Sequence, residues 1–374
     1  MLIDKLKKYA ASNTYPMHMP GHKRTCNKLQ EGLPHEIDLT EIHGFDDLRN
    51  PAGILLETAK LASQIYKSNK AFPLVNGSTV GVLSAIGAHT KRGDKILIAQ
   101  KCHWSVDNAV QLFGLTAVYI SPDNDENSSV PLSIEPKQVE NALNKNPDIR
   151  LVVITSPSYE GVISDLETIA KIVHSKNIAL FVDSAHGAHL GFSDRFPKNA
   201  VQSGADIVVM SLHKTLPAMT QCALLHLCTD RGNYEKTKEM LSILQTSSPS
   251  YVLMASIDSC LHILRADSAI LFSQYEQNLE SFRIRVKQLT KLFILCQGEC
   301  SKTVFYDYDP GKIVVVTKNT KISGFELASI LRVEYKIEIE RACQDYLTAM
   351  TSICDIPAGF DRLANALLTI DGIV

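Results

Sequence analysis

A chain of 374 residues, 45% hydrophobic and 21% charged, is long enough for one large domain with a substantial core and a smaller domain beside it. A formal net charge of -2, one tryptophan and no basic block give no electrostatic case for nucleic acid or an anionic membrane as a bulk partner. Nine scattered cysteines without a CxxC pair, an N-terminus (MLIDKLKKYA) with no apolar leader core, and no apolar run near the roughly 18 residues of a membrane span predict a cytoplasmic protein with reduced thiols.

From about residue 52 to 230, short apolar runs alternate with amphipathic stretches. After Pro51, a favourable first helical residue, Ile54, Thr58, Leu61 and Ile65 keep helical spacing, and residues 80–91 predict a second helix that stops at Gly93. The runs ILIA (96–99), TAVYI (116–120), RLVVIT (150–155), ALFVD (179–183) and DIVVM (206–210) are short, rich in β-branched residues and almost free of charge, as strands buried on both faces must be. Residues 121–130 (SPDNDENSSV) read as a surface loop, and Asp165 to Lys176 as a helix with acid at its start and base near its end. Such alternation predicts a mostly parallel central sheet flanked by helices. Residues 235–295 carry almost no Gly or Pro and read as mainly helical. KIVVVT (312–317), a helix from Phe325 to Leu331, KIEIE (336–340) and a helix from Phe360 to Leu368 then suggest a small α+β unit. The expected division is an N-terminal segment (1–50), a large domain (51–295) and a small C-terminal domain (296–374).

Four places set unusual polar residues at the end of a predicted buried strand or the start of a helix, where open parallel sheets collect ligands. Asn76-Gly77-Ser78-Thr79 precedes a helix. Its free N–H groups, two hydroxyls and a glycine that allows close approach suit a phosphate, although plain N-capping by Ser78 or Thr79 accounts for the residues equally well. Neither a Walker A sequence nor GxGxxG accompanies it. Asp183 ends an apolar strand, where a buried carboxylate is costly without a cationic partner, and a protonated pyridine nitrogen is such a partner. His186 and His189 follow on the same loop without a third residue at metal-ligand spacing, so His189 reads as a packed structural histidine. Ser211-Leu212-His213-Lys214 follows the next strand, and a desolvated lysine there is a competent amine nucleophile for an aldehyde. His103-Trp104 could stack on a flat cofactor or simply start a helix.

Together with MHMPGHKR (17–24), DLTEIHGFDDLRNPAGIL (38–55), DSAHGAH (183–189), SLHKTLPAMTQ (211–221) and TSSPSYVLMASID (246–258), these residues resemble the Orn/Lys/Arg decarboxylase branch of fold-type-I pyridoxal-5′-phosphate (PLP) enzymes. The resemblance covers residues 17 to 258 and implies that Lys214 holds PLP as a Schiff base. It implies too that Asp183 meets the pyridine nitrogen and that His103 and Ala185 pack on the two ring faces, with His186 close by. Gly77, Ser78, Thr79, Ser211 and His213 would grip the phosphate, and Thr246 and Ser247 would reach it from a second subunit, making the enzyme a homodimer. Lys214 or His103 would return a proton to the substrate. Glu41 and Asp46, in the acidic stretch that also carries Asp38 and Asp47, would face the distal cation of arginine, lysine or ornithine, and the amine product would enter polyamine biosynthesis. Two departures accompany the resemblance: Ser184 stands where the family usually has an acid, and the sequence reads as a short form ending before the family's usual further C-terminal domain. Aminotransfer or β-elimination, with Arg332 or Arg341 on the substrate carboxylate, and a PLP-binding regulatory protein without turnover are the alternatives.

Overall fold

The computed structural model describes residues 1–12, 14–24, 29, 31–296 and 305–374. Cys26, Cys300 and parts of the expected N-terminal segment and small domain lie outside them. In chain order the helices are α1 (Leu2–Ala10), α2 (Ile54–Tyr66), α3 (Gly77–His89), α4 (Trp104–Phe113), α5 (Pro136–Lys145), α6 (Leu166–Ser175), α7 (Leu212–Thr215), α8 (Tyr234–Leu244), α9 (Tyr251–Val286), α10 (Gly324–Tyr335) and α11 (Pro357–Asp371). The strands are β1 (Lys70–Leu74), β2 (Lys95–Ala99), β3 (Thr116–Ile120), β4 (Ile149–Thr155), β5 (Val162–Ile163), β6 (Ala179–Asp183), β7 (Ile207–Ser211), β8 (Ala223–Leu227), β9 (Phe293–Ile294), β10 (Asp307–Tyr308), β11 (Lys312–Val316), β12 (Arg341–Ala342) and β13 (Tyr346–Met350).

A seven-stranded sheet in the order β1-β8-β7-β6-β4-β2-β3 forms the centre. Strands β3, β2, β4, β6 and β7 are parallel, as the apolar runs predict, and β8 runs antiparallel between β7 and β1. β7 is buried at all five positions, which explains its unbroken apolar sequence. Pairing of Thr155 with Asp183, and of Asp183 with Val209, sets the carboxyl ends of β4, β6 and β7 side by side. Asp165 caps α6 by accepting the Thr168 N–H at 3.0 Å, and Ser323 with Glu326 forms a capping box on α10.

The second sheet, β12-β13-β11-β9, packs with α10, α11 lies against α9 and α10, and β10 returns to pair with β5. KIEIE is not a strand: Lys336 leaves α10 in left-handed conformation, and the strand forms at Tyr346–Met350. Residues 121–130 are less exposed than their polarity suggests. Ser128 and Val130 are buried, and the Ser129 hydroxyl donates to Asp345 at 2.6 Å, tying this loop to the small sheet. Cys296 is disulfide-bonded, contrary to the expectation of free thiols throughout, whereas Cys102, Cys222, Cys228, Cys260, Cys343 and Cys354 are free. Among the described residues no helix is long and apolar enough to cross a membrane.

Candidate active site

The carboxyl ends of β2, β4 and β6 open onto a cavity of about 570 Å³, which Lys214 enters from α7. Lys214, Asp183, His103, Ala185 and His186 all line it, together with Thr155, Tyr159, Glu160, Arg341 and Tyr346. The small sheet therefore contributes walls to a pocket founded on the large one.

Each of these groups is held by its local fold. Asp183 is 2% exposed, and one of its oxygens accepts the Ala185 N–H at 3.1 Å. Burial raises its pKa, against the opposing pull of the Lys214 and His103 charges. Lys214 is shifted the other way: burial lowers its pKa, and Asp183 and Glu340 limit the drop. The half-buried lysine and the buried acid are thus shifted towards each other, the pattern of a reactive amine beside a carboxylate. His103 is the N-cap of α4, its Nδ1 accepting the Ser105 N–H at 3.2 Å and meeting the Ser105 hydroxyl at 2.8 Å. The capping and ring-stacking readings of this histidine are compatible, because the cap fixes the ring that lines the cavity. Trp104 beside it is mostly exposed.

His186 joins two lysines. Its Nε2 lies 3.1 Å from Lys214 Nζ and its Nδ1 2.9 Å from Lys312 Nζ. Tyr159 packs on the ring at 4.6 Å between centroids, and its hydroxyl donates to Glu340. Glu160, 4% exposed, accepts from the Tyr346 hydroxyl at 2.9 Å and from Arg341 at 3.4 Å. His189 meets Asp309 at 3.0 Å in the interior, the structural part expected of it. Ser184 is also fully buried; its hydroxyl has no described partner, and a Cβ on Gly187 would come within 2.4 Å of it.

Among the residues expected at a phosphate, Gly77 donates its N–H to Gln221 O at 2.9 Å and His213 its N–H to Cys222 O at 3.3 Å, both in the turn before β8. Gly77 opens α3 at φ +71 with nothing within 4 Å of where a Cβ would stand. Ser78 and Thr79 follow in the first turn, and Asn76 gives that helix no side-chain cap. The Ser211 hydroxyl, at the end of β7, is buried without a described partner, and the Ser211 N–H donates to Ala185 O at 3.3 Å. An unclaimed hydroxyl, an uncapped helix N-terminus and an open glycine are each groups that suit a phosphate. With Asp183 and Lys214 beyond it, the donor set fits PLP. His213 is oriented by its Nδ1, which meets Cys222 O at 3.0 Å. Thr246 donates its N–H to Asn76 at 3.1 Å within the same chain, and Ser247 is exposed; neither lines the Lys214 cavity.

Glu41 and Asp46 are not brought to the cavity. Glu41 is exposed, and Asp46 accepts the N–H groups of Ala52, Gly53 and Leu55 at 2.8 to 3.0 Å. Burial raises the Asp46 pKa and these bonds outweigh it, leaving it below the usual carboxylate range. Asp46, rather than Pro51, starts α2. Of the two candidate arginines, Arg332 forms a surface fork with Glu338 and Arg341 lines the cavity. Sequence reasoning missed Tyr159, Glu160, Lys312 and Tyr346. The polar turn SPSYEG after β4 was a usable signal for Tyr159 and Glu160. Lys312 and Tyr346 arrive from a distant strand pair and leave no local sign.

Comparison with known proteins agrees with this geometry. The family model described as Orn/Lys/Arg decarboxylase, major domain, matches residues 1–313. The chain is 39% identical to the uncharacterized protein YaaO of Bacillus subtilis, over 88% of this chain and 69% of that protein. It is 29% identical to an arginine decarboxylase of the same organism, over 99% of this chain and 76% of that one. Francisella novicida lysine decarboxylase LdcF superposes with a TM-score of 0.84 at 18% identity, covering 100% of this chain and 60% of that one. The Nostoc alanine–glyoxylate aminotransferase gives 0.69 at 14% identity, covering 87% and 88%. The present chain spans about three fifths of the solved lysine decarboxylase chain, and these structural likenesses establish the fold of fold-type-I PLP enzymes.

Proposed function

Because the chain belongs to the Orn/Lys/Arg decarboxylase family, we propose that it decarboxylates arginine, lysine or ornithine to the corresponding amine, with PLP held on Lys214. The observation that carries this reading is the convergence of Lys214, Asp183, His103 and His186 on one cavity at the carboxyl ends of the parallel strands. When bound, PLP supplies an electron sink conjugated to the substrate Cα.

The chain's residues do the rest. Lys214, partly desolvated, has its pKa lowered by burial, which favours the nucleophilic amine. Asp183 would hold the pyridine nitrogen protonated, and the His103 ring, fixed by Ser105, would cover one face. Gly77, Ser78, Thr79 and Ser211 would anchor the phosphate. Lys214 or His103 would supply the proton that Cα takes up. Glu160 takes over the part assigned in sequence to Glu41 and Asp46: among the described residues it is, besides Asp183, the carboxylate lining the cavity, and a substrate cation there would share it with Arg341. Thr246 and Ser247 completing a partner's phosphate site make the active form a homodimer.

Aminotransfer has one observation in its favour, since Arg341 could receive a substrate carboxylate. Product analysis with arginine, lysine and ornithine separates the two. Release of CO₂ with the matching amine is expected, and an oxo acid without CO₂ would replace decarboxylation by aminotransfer. Glu160→Gln should raise KM for the cationic substrate more than it lowers kcat, and an unchanged KM would remove Glu160 from the substrate site.

A further inference from the structure

Each decarboxylation consumes a proton, because hydrogen takes the place at Cα that the carboxylate leaves. Where Lys214 enters, the cavity wall includes buried groups, Asp183 and His186, so the source of that proton is a structural question. Lys312 bears on it. It begins β11, is 1% exposed, and reaches His186 Nδ1 from the side opposite Lys214. Its stem passes over Gly161, where a Cβ would come within 2.7 Å of the Lys312 Cγ and where φ of +99 already calls for glycine. The contact is therefore built into the turn.

A neutral imidazole has one N–H and one lone pair. His186 is held neutral, its pKa pushed down by burial first and then by the charges of Lys312 and Lys214 on its two sides and of His189 and His103 nearby. An ammonium can only donate. Of the two lysines touching this ring, then, one donates to it as an ammonium and the other accepts from it as a free amine.

We propose that Lys312 is a positioning residue that passes a proton through His186 to Lys214, recharging the amine that protonates the substrate. In the starting arrangement Lys312 Nζ–H donates to His186 Nδ1, and Nε2–H donates to the Lys214 nitrogen. In the transfer the Lys312 N–H bond breaks as Nδ1–H forms, and Nε2–H breaks as Lys214 N–H forms. One proton moves and no electrons do; in the reset the Nδ1 proton returns to Lys312 as Nε2 takes a proton from water in the cavity. Burial brings the Lys312 pKa down to about 8, with Asp309, Glu340 and Glu160 opposing and Lys214 assisting, which suits a donor working near neutrality. Asp309, whose second oxygen has no described hydrogen-bond partner, supplies the local negative charge.

This inference rests on the decarboxylase reading for its purpose but not for its first test. In the full chain freed of bound aldehyde, competitive acetylation of Lys214, followed by peptide mass spectrometry across pH, should place its midpoint lower in wild type than in Lys312→Met. Labelling at pH 8 should fall at least threefold in that variant. An unchanged midpoint in folded Lys312→Met protein would overturn the coupling. In wild type, ¹⁵N-histidine spectra should give His186 a single N–H between pH 6 and 8, and a doubly protonated ring would overturn it as well. The second test separates proton transfer from charge. Lys312→Arg keeps a cation that does not release its proton, so kcat should drop at least tenfold in both the Arg and the Met variants with KM little changed. Restoration of kcat by Arg would reduce Lys312 to a fixed charge and overturn the relay, whereas an inactive wild type with the labelling shift intact would count against the decarboxylase reading alone.

Discussion

At the residue scale, the chemistry-bearing positions announced themselves where strand ends and loop starts are local in sequence. Asp183, His103 and Lys214 each follow an apolar run, so the sheet topology alone delivers them to one rim. Lys312 is different: nothing near KIVVVT distinguishes it from an ordinary strand-start lysine, and only the return of β11 beside β13 buries it under His186. Its burial has a measurable consequence. A folded-state pKa of about 8 against an ordinary 10.5 means that between those pH values the unfolded chain holds a proton the folded chain has released. Stability should therefore rise as pH rises from about 8 to 10.5 through this group, by an amount bounded at roughly 3 kcal/mol. Denaturant titrations of wild type and Lys312→Met should show that rise flattened in the variant. A parallel slope in both would place the Lys312 titration elsewhere.

At the element scale, strands with β-branched, charge-free sequences were legible to within a residue or two, as β3 and β6 demonstrate. The missed strands have physical reasons. β1 contains Pro73, tolerable because β1 is an edge strand, and β8 contains His226, which is buried against Tyr66 and bonded to the Ser68 hydroxyl at 2.9 Å. Tertiary pairing overrides composition in both. Asp46 illustrates the converse, a carboxylate that looked functional because it lies in an acidic run but that serves a helix start. Asp46→Ala should destabilise the fold by about 1–2 kcal/mol, read as a lower denaturant midpoint, with substrate preference unchanged. A loss of preference for cationic substrates at unaltered stability would return Asp46 to the binding site.

At the scale of the whole molecule, the sequence conveyed a large α/β sheet and a smaller unit but not how they meet. The meeting is what makes the pocket: Arg341 and Tyr346 come from the small sheet onto Glu160, and β10 seals against β5. Such contacts between residues about 180 apart in sequence have no local signature. The proposed homodimer belongs to this scale as well. Chains carrying Lys214→Ala and chains carrying Thr246→Ala with Ser247→Ala should each be inactive alone and recover turnover when refolded together, because the hybrid contains one intact site. No recovery from mixed, dimeric protein would confine each site to a single chain.

The most direct measurement of the central claim is chemical. The 374-residue chain incubated with PLP should develop visible absorption, lose it on borohydride reduction, and carry the reduced cofactor mass on the peptide containing Lys214. Lys214→Ala should carry none. A label on another lysine, or no label after incubation with PLP, would contradict the assignment of Lys214 and with it the reaction built on that residue.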